Sequence, residues 1–334
     1  MSVNSADSTF NSWQVTLAAC AAAMLALPHQ ASFAQQNWPE RPIHLIVVQP
    51  PGGGVDIVAR ALGQKLQQAL GQPLVIDNRP GGSEIVGTQL VGRAAPDGLT
   101  FGVVTNTFAI NPTLFPKLPY DTVRDFVPVT KLVNMPFVLL APPGLGVTSV
   151  RELVALAKAK PGQLNFGHAG LSSPHFLAGE WFKRLAGLDV VAVGYKGAGD
   201  AMTAVSAGQV QFMFTGIGAG MAQVKAGRLV ALAVTPARRL ASAPALATVA
   251  EAGYPDYDLV TWHGLIAPKG TPPAIINRLN AETARALNSD ELRERFSSLG
   301  AEAAAMSPDQ FAEFIRADIE VWGRIVRLSG AKPE

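Results

Sequence analysis

Apolar residues along this chain come in short blocks whose period switches between that of a strand and that of a helix. Ile43, Leu45, Ile46, Val47 and Val48 form a β-branched, nearly continuous run, the pattern of a strand buried on both faces of a parallel sheet. Val55, Val58, Leu62, Leu66 and Leu70 then recur on one helical stripe, predicting an amphipathic helix. Gln49 to Asp56, reading Gln-Pro-Pro-Gly-Gly-Gly-Val-Asp, joins the two. Its three glycines admit positive φ and leave backbone N–H groups unobstructed at the positive end of a helix dipole. Such a turn suits an anion, and it also serves as a plain tight turn.

The alternation continues. Leu74 to Asp77 predicts a second strand, Asn78 to Ser83 a glycine-rich loop, and Thr100 to Thr105 a third strand after the turn Pro96-Asp97-Gly98. Strands alternating with helices predict βαβ units and a parallel sheet. Val127 to Val133 and Phe137 to Ala141 are two further apolar runs, interrupted by Asn134-Met135-Pro136, where the first crossing between domains is placed. Beyond it the logic repeats. Ser149 and Glu152 form a capping box, and the helix they open stops at Lys160-Pro161-Gly162. Leu164 to Gly167 is a strand, His168 to Ser173 a small polar loop, and Ser173-Pro174 reads as N-cap and first residue of a helix reaching Gly187. Strands at Val190 to Val193, Val210 to Phe214 and Leu229 to Val234 alternate with helices over Asp200 to Ala207 and Ala219 to Lys225. Leu259 to Ala267 is the last apolar strand. Thr271-Pro272, Ser289 to Glu291 and Ser307 to Gln310 each start a helix, the last carrying Phe311, Phe314, Ile315, Ile319, Trp322 and Val326 on one face, a tail expected to pack on the first domain.

Length and composition fit this picture. With 334 residues, 48% hydrophobic and 16% charged, the chain has core enough for two domains. The net charge of +2 comes from scattered side chains with no basic block, so no nucleic-acid partner is expected. Trp13 to Leu27 is apolar and alanine-rich, followed by Pro28 and Ser32-Phe33-Ala34, which predicts a secretory signal over residues 1–34 cleaved after Ala34. The stretch before Trp13 departs from that pattern in lacking Lys and Arg and carrying Asp7. A membrane anchor is a rival reading, but the run is shorter than the ~20 residues a span needs. Leu17-Ala18-Ala19-Cys20 also resembles a lipoprotein box. If the signal is removed, the only cysteine, Cys20, leaves with it, excluding thiol catalysis, cysteine metal sites and disulfides.

Catalytic signatures do not emerge. Gly52-Gly53-Gly54 lacks the Gly-Lys-Ser/Thr ending of a P-loop, and Gly170-Leu171-Ser172-Ser173 is not a nucleophile elbow. Ser172 or Ser173 with His168 or His175 could form a nucleophile and base, but an N-cap accounts for Ser173-Pro174 without further assumptions. His44, His168, His175 and His263 show no metal spacing. No metal and no cofactor are expected. What remains is two domains, each aiming a small-residue loop and a helix N-terminus, able to clamp one carboxylate.

Several motifs occur in a characteristic order: Trp38-Pro39-Glu40-Arg41-Pro42-Ile43, Pro50 to Asp56, Asn78-Arg79-Pro80-Gly81, Ala95-Pro96-Asp97-Gly98, Ile110-Asn111-Pro112, Leu118-Pro119-Tyr120-Asp121, Tyr195-Lys196-Gly197, Ala233-Val234-Thr235 and Ala250-Glu251-Ala252-Gly253. In these the chain resembles the Bug or TctC-like solute-binding receptors of tripartite tricarboxylate transporters. The resemblance implies an α/β periplasmic binding protein fold, type II-like, of two lobes with a two-strand hinge and a ligand cleft between them. The lobes would be 35–135 with 256–334, and 136–255. It implies a monomer in the periplasm that closes on a small organic acid or amino-acid-like carboxylate and delivers it to the permease subunits of a tripartite tricarboxylate transporter. A ligand-sensing module that signals to a membrane protein would need the same cleft.

By the same resemblance the ligand is held by Pro51, Gly52, Gly53, Gly54 and Asp56 from the first lobe and His168, Gly170, Ser172, Ser173 and Pro174 from the second. Ser83, Thr105, Thr107, Tyr195 and Thr215 border the cleft. Three features depart from the family pattern: Ser83 and Glu84 stand where glycines are usual, Gln211 and Thr215 where acids are, and His168 where a small residue is. A glutamate near an anion pocket disfavours a second ligand carboxylate, whereas a protonated His168 would favour one. Asp56 is expected to support the turn and helix start, since a bare carboxylate would repel the ligand.

Overall fold

The computed structural model describes residues 38–333, so the expected signal segment, 1–34, lies outside it. Ten strands run β1 (Ile43–Val47), β2 (Leu74–Asn78), β3 (Thr100–Thr105), β4 (Phe126–Ala141), β5 (Leu164–His168), β6 (Val190–Gly194), β7 (Phe212–Gly216), β8 (Val230–Val234), β9 (Val260–Pro268) and β10 (Glu302–Ala303). The helices are α1 (Gly54–Leu70), α2 (Ile85–Gly92), α3 (Thr107–Leu114), α4 (Val150–Ala159), α5 (Pro174–Ala186), α6 (Ala198–Ser206), α7 (Ile217–Lys225), α8 (Pro273–Leu287), α9 (Asp290–Ser298) and α10 (Pro308–Ser329).

The strand order is β2-β1-β3-β9-β4-β7-β5-β6, with β10 and β8 also pairing with β4. β1 is parallel to β2 and β3, and β5 to β6 and β7. β9 is antiparallel to β3, and β4 is antiparallel to β9, β7 and β8. The sheet is therefore mixed, where the alternation predicted a parallel one, because β4 and β9 are not entered through βαβ crossovers.

The larger correction concerns β4. The expected break at Asn134-Met135-Pro136 is the middle of one 16-residue strand. Its first part pairs with β9 from Phe126↔Pro268 to Pro136↔Val260, and its second with β7 and β8 from Phe137 and Val138 onward. Proline lacks a ladder donor. Pro136 sits where the strand changes partners, and Pro128 at the edge of a bulge, so neither interrupts the strand. At the changeover the Phe137 N–H donates to Thr235 Oγ1 at 3.0 Å, Thr235 N–H donates to the Phe137 carbonyl, and Leu259 N–H donates to the Thr235 carbonyl. Both chain crossings between the β1–β3 region and the β5–β7 region thus meet at Phe137 and Thr235.

The predicted stripe of α1 is buried throughout, at Val55, Val58, Leu62, Leu66 and Leu70; in α10 Phe311, Ile315, Trp322 and Val326 are buried, while Phe314 and Ile319 are only half-buried at the edge of the core. Ser307 and Gln310 make a reciprocal capping box that sets the start of α10. Trp262 of β9 packs edge-on against Phe311 and Phe314. α10 touches α3, β4 and also α5, so the tail packs on both halves and not on the first alone. Among the described residues no helix is long and apolar enough to cross a membrane.

Candidate functional site

β1, β2 and β3 are parallel and end at Val47, Asn78 and Thr105, so the loops that follow converge on one edge, the usual ligand edge of an open α/β sheet. After β1 the chain turns through Gly52, at φ 82°, a conformation that favours glycine. Asp56, in the first turn of α1, is buried and faces back into this turn. Its Oδ2 accepts from Gly52 N–H and Arg60 Nε, and its Oδ1 from Asn78 Nδ2, each at 2.9 Å. Burial alone would raise its pKa, but the hydrogen bonds from Arg60, Gly52 and Asn78 together hold the carboxyl below its usual range. Asp56 therefore fastens the turn to α1 and to β2. Gly53 is the N-cap of α1 and supplies no side-chain cap, so the helix's first amides have no intrahelical or capping partner.

The next loop holds Ser83 and Glu84, the first of the departures from the family pattern. Ser83 and Glu84 both have positive φ, 52° and 68°, a region that costs non-glycine residues about 1–2 kcal/mol each. Neighbouring groups hold them there. Asn111 Nδ2 donates to the Ser83 carbonyl at 2.9 Å and Thr88 Oγ1 to the Glu84 carbonyl at 2.8 Å. The Glu84 carboxyl is buried between Gln49 Nε2, at 2.7 Å, and Thr105 Oγ1, at 2.8 Å. Burial pushes this carboxyl up to about 7, against the hydrogen bonds from Gln49 and Thr105 that favour the anion. Thr105 Oγ1 also accepts from Thr107 N–H at 3.1 Å, so its one proton and its acceptor role are both in use.

The second group of loops follows the same rule. β5, β6 and β7 are parallel and end at His168, Gly194 and Gly216. His168 is buried, and its Nδ1 accepts from Gly170 N–H at 3.2 Å. Ser173 caps α5 as predicted, accepting from Phe176 N–H at 3.2 Å and donating to the Gly170 carbonyl at 2.6 Å. Pro174 follows at N1. Both functions of the Ser173 hydroxyl are thus consumed by the cap. Part of His175 reaches the surface, but its Nδ1 is buried without a partner, and burial, then His168, hold the ring at about 4. Tyr195 N–H donates to the His168 carbonyl at 2.9 Å.

The structure brings some expected site residues together and turns others elsewhere. Ser83 and Ser172, from different loop groups, meet hydroxyl to hydroxyl at 3.2 Å. Thr215 is paired with Val138 across β7–β4, and its methyl lies 3.3 Å from where a Cβ on Gly220 would stand. Its side chain therefore packs against α7. Pro51 and Gly52 are exposed, and Gly53 and Gly54 partly so. Gln49, Asn78 and Asn111 hold the loops in place; the loop sequences contained the first two, but nothing in their spacing marked them. His263 on β9 is a further residue that periodicity could not single out, in a strand buried almost throughout. Among the described residues no cluster of three or more His, Cys, Asp or Glu could hold a metal ion.

Two groups of strand-end loops facing one another across a shared strand pair define the class of periplasmic solute-binding proteins, and comparison with known proteins agrees. Residues 58–330 match the model of the tripartite tricarboxylate transporter family receptor, and the chain belongs to that family. It is 37% identical to BugT of Bordetella pertussis over 304 residues, covering 90% of this chain and 93% of that protein. Among solved structures it is similar to an R. palustris protein with adipate, at TM-score 0.79 and 33% identity over 89% of this chain and 100% of the other. It is likewise similar to MatC from Rhodopseudomonas palustris with bound malate, at TM-score 0.74 and 32% identity over 86% of this chain and 100% of the other. The family consists of periplasmic solute-binding receptors, not enzymes, which removes the serine-hydrolase reading of Ser172 and Ser173.

Proposed function

We propose that this chain is a periplasmic receptor that captures a small carboxylate between two lobes, 35–135 with 256–334 and 136–255, and delivers it to the membrane permease of a tripartite tricarboxylate transporter. Residues 1–34 would direct export and be removed after Ala34 as the chain is exported, which intact-mass measurement of the exported protein tests. The observation that carries the reading is the direct Ser83–Ser172 contact between loops of the two strand groups, beside the uncapped start of α1. The hinge is β4 and the 235–260 return, which meet at Phe137 and Thr235. Ligand contacts are assigned to the Pro51 to Gly54 turn, Ser83, Thr107, and the His168 to Pro174 loop with Tyr195, with Asp56 and Thr105 holding the turn and wall. Relatives of the same family hold adipate and malate, so the ligand here is sought among small acids.

A thermal-shift panel of mono-, di- and tricarboxylates, amino acids and aromatic acids tests this. A ligand bound only by the native state at 100 times its Kd adds about 2.7 kcal/mol of stability. Stabilisation by one acid class is the expected result. No stabilisation by any acid at millimolar concentration sinks the proposal.

A further inference from the structure

His263 lies on β9 directly opposite Thr105 of β3, so the two side chains share one face of the sheet. That face also holds the Glu84 carboxyl, bonded to Thr105. His263 is 7% exposed, and its Nδ1 is buried with no hydrogen-bond partner. A buried imidazole nitrogen without a partner costs about 1–3 kcal/mol, and such a group in a native structure calls for an explanation.

The surroundings supply one. The ring's Cε1, the carbon between its two nitrogens, is 3.9 Å from where a Cβ on Gly54 would stand, and Met135 Cε is 3.7 Å from the same point. Gly54 is the first residue of α1, the 17-residue helix that starts without a side-chain cap. An unpartnered imidazole and a set of unpartnered amides therefore share one corner. A Cβ at position 54 would stand in ordinary van der Waals contact with the ring and with Met135, so glycine there leaves the space beside the ring unfilled.

Resting on the receptor reading above, we propose that His263 is a specificity-determining residue: it reads a hydrogen-bonding substituent, hydroxyl or amino, on the carbon beside the carboxylate that docks at the start of α1. Burial holds the ring at about 4, so at neutral pH it is an uncharged donor and acceptor. A neutral ring answers a hydroxyl or an ammonium group. It gives a further carboxylate no compensating charge, and Glu84 behind Thr105 repels one once ionised.

The test uses acids that differ only at that carbon: succinate, malate and aspartate, and the shorter series propionate, lactate and alanine. Binding to the full mature chain is measured by calorimetry for the native protein, His263→Phe and His263→Gln, with circular dichroism to confirm folding. The native protein should prefer one substituted acid over its unsubstituted counterpart. His263→Phe should abolish that preference, a loss of about threefold to tenfold, as expected for one hydrogen bond, while His263→Gln keeps part of it. Which series member binds separates hydroxyl from amino. An unchanged ratio in a folded His263→Phe overturns the inference and leaves the receptor reading intact, as does a native protein that binds acids without regard to the substituent. Failure of the native protein to bind any acid of the wider panel overturns both.

Discussion

The hydroxyl of Ser83 donates to that of Ser172 at 3.2 Å, although 89 residues separate them and they sit in loops of different strand groups. Ser83 is held in a positive-φ conformation by Asn111, so its hydroxyl is presented by a fixed backbone. A bond of this kind forms only when the two loop groups approach, and it should favour the closed form. Ser83→Ala should weaken ligand binding by about twofold to tenfold, the worth of one neutral hydrogen bond, with little change in the melting temperature of the ligand-free protein. A double-mutant cycle with Ser172→Ala, read by calorimetry, should give a coupling energy of similar size. Additive losses would show that the two hydroxyls do not act on each other in solution.

Glu84 makes a prediction about pH. Burial raises its carboxyl to about 7 from 4.5, so the folded chain holds the proton more tightly than the unfolded chain. Its contribution to stability is full below about pH 4.5 and is lost as the pH rises to about 7. A shift of this size corresponds to about 3 kcal/mol. Glu84→Gln removes the titration, so the unfolding free energy of the variant minus that of the native protein should rise by about 3 kcal/mol between pH 4.5 and pH 8. Denaturant melts at both pH values measure it, and a flat difference would place the carboxyl in its ordinary range.

The sequence revealed the elements more fully than the contacts. Five apolar residues at helical spacing were enough for α1, and Ser173-Pro174 for the start of α5, because each signal is local and has one physical cause. The break expected within β4 does not occur: a proline inside an apolar run ordinarily ends a strand, but Pro136 falls where the strand changes partner and is tolerated there. β7 begins at Phe212 and not at Val210: Gln211 N–H still donates to the Asn165 carbonyl of β5, but Asn165 N–H donates to the Gln211 side chain, at 2.7 Å, in place of a backbone carbonyl. At the site, the glycine and serine loops were legible as strand-to-helix turns. Glu84 was visible only as a departure, and its partners Gln49 and Thr105 lie 35 and 21 residues away, beyond the reach of any local pattern. His263 sits in a uniformly buried strand, where periodicity carries no information about which side chain meets Gly54.

Asp56 is expected to act through the turn it holds. Asp56→Ala leaves Gly52 N–H, Asn78 Nδ2 and Arg60 Nε without their acceptor, which should cost about 1–3 kcal/mol and weaken ligand binding together. Because hydrogen bonds hold its carboxyl below 3.8, its stabilising contribution is present above that pH and lost as the pH falls through the folded value. The native protein should therefore approach the variant's stability in acid. Gly52→Ala, forced into φ 82°, should lower affinity, whereas Gly53→Ala, at φ −74° with its Cβ 3.4 Å from the Pro50 carbonyl, should be accommodated. Equal effects at both positions would contradict the turn geometry.

Gly218 provides the last test, at the start of the helix that follows β7. It lies in the first turn of α7, which follows β7, and a Cβ there would stand 2.2 Å from the carbonyl oxygen of Leu299, in the turn that ends α9. The backbone of Gly300 closes the contact from the other side, since its own Cβ would meet Gly218 N at 2.5 Å. Two backbones can approach this closely only where neither residue carries a side chain. Gly218→Ala must push α7 away from the Leu299–Gly300 turn, and overpacking of this kind costs about 1–3 kcal/mol. Gly300→Ala should cost more, because φ 71° adds strain to the clash. Gly199→Ala in α6 meets nothing within 4 Å and should be neutral or slightly stabilising by helix propensity. Chemical denaturation should find Gly300→Ala the least stable, Gly218→Ala next and Gly199→Ala the most stable of the three. A Gly218→Ala protein as stable as Gly199→Ala would mean that α7 and the Leu299 turn are not in contact in solution.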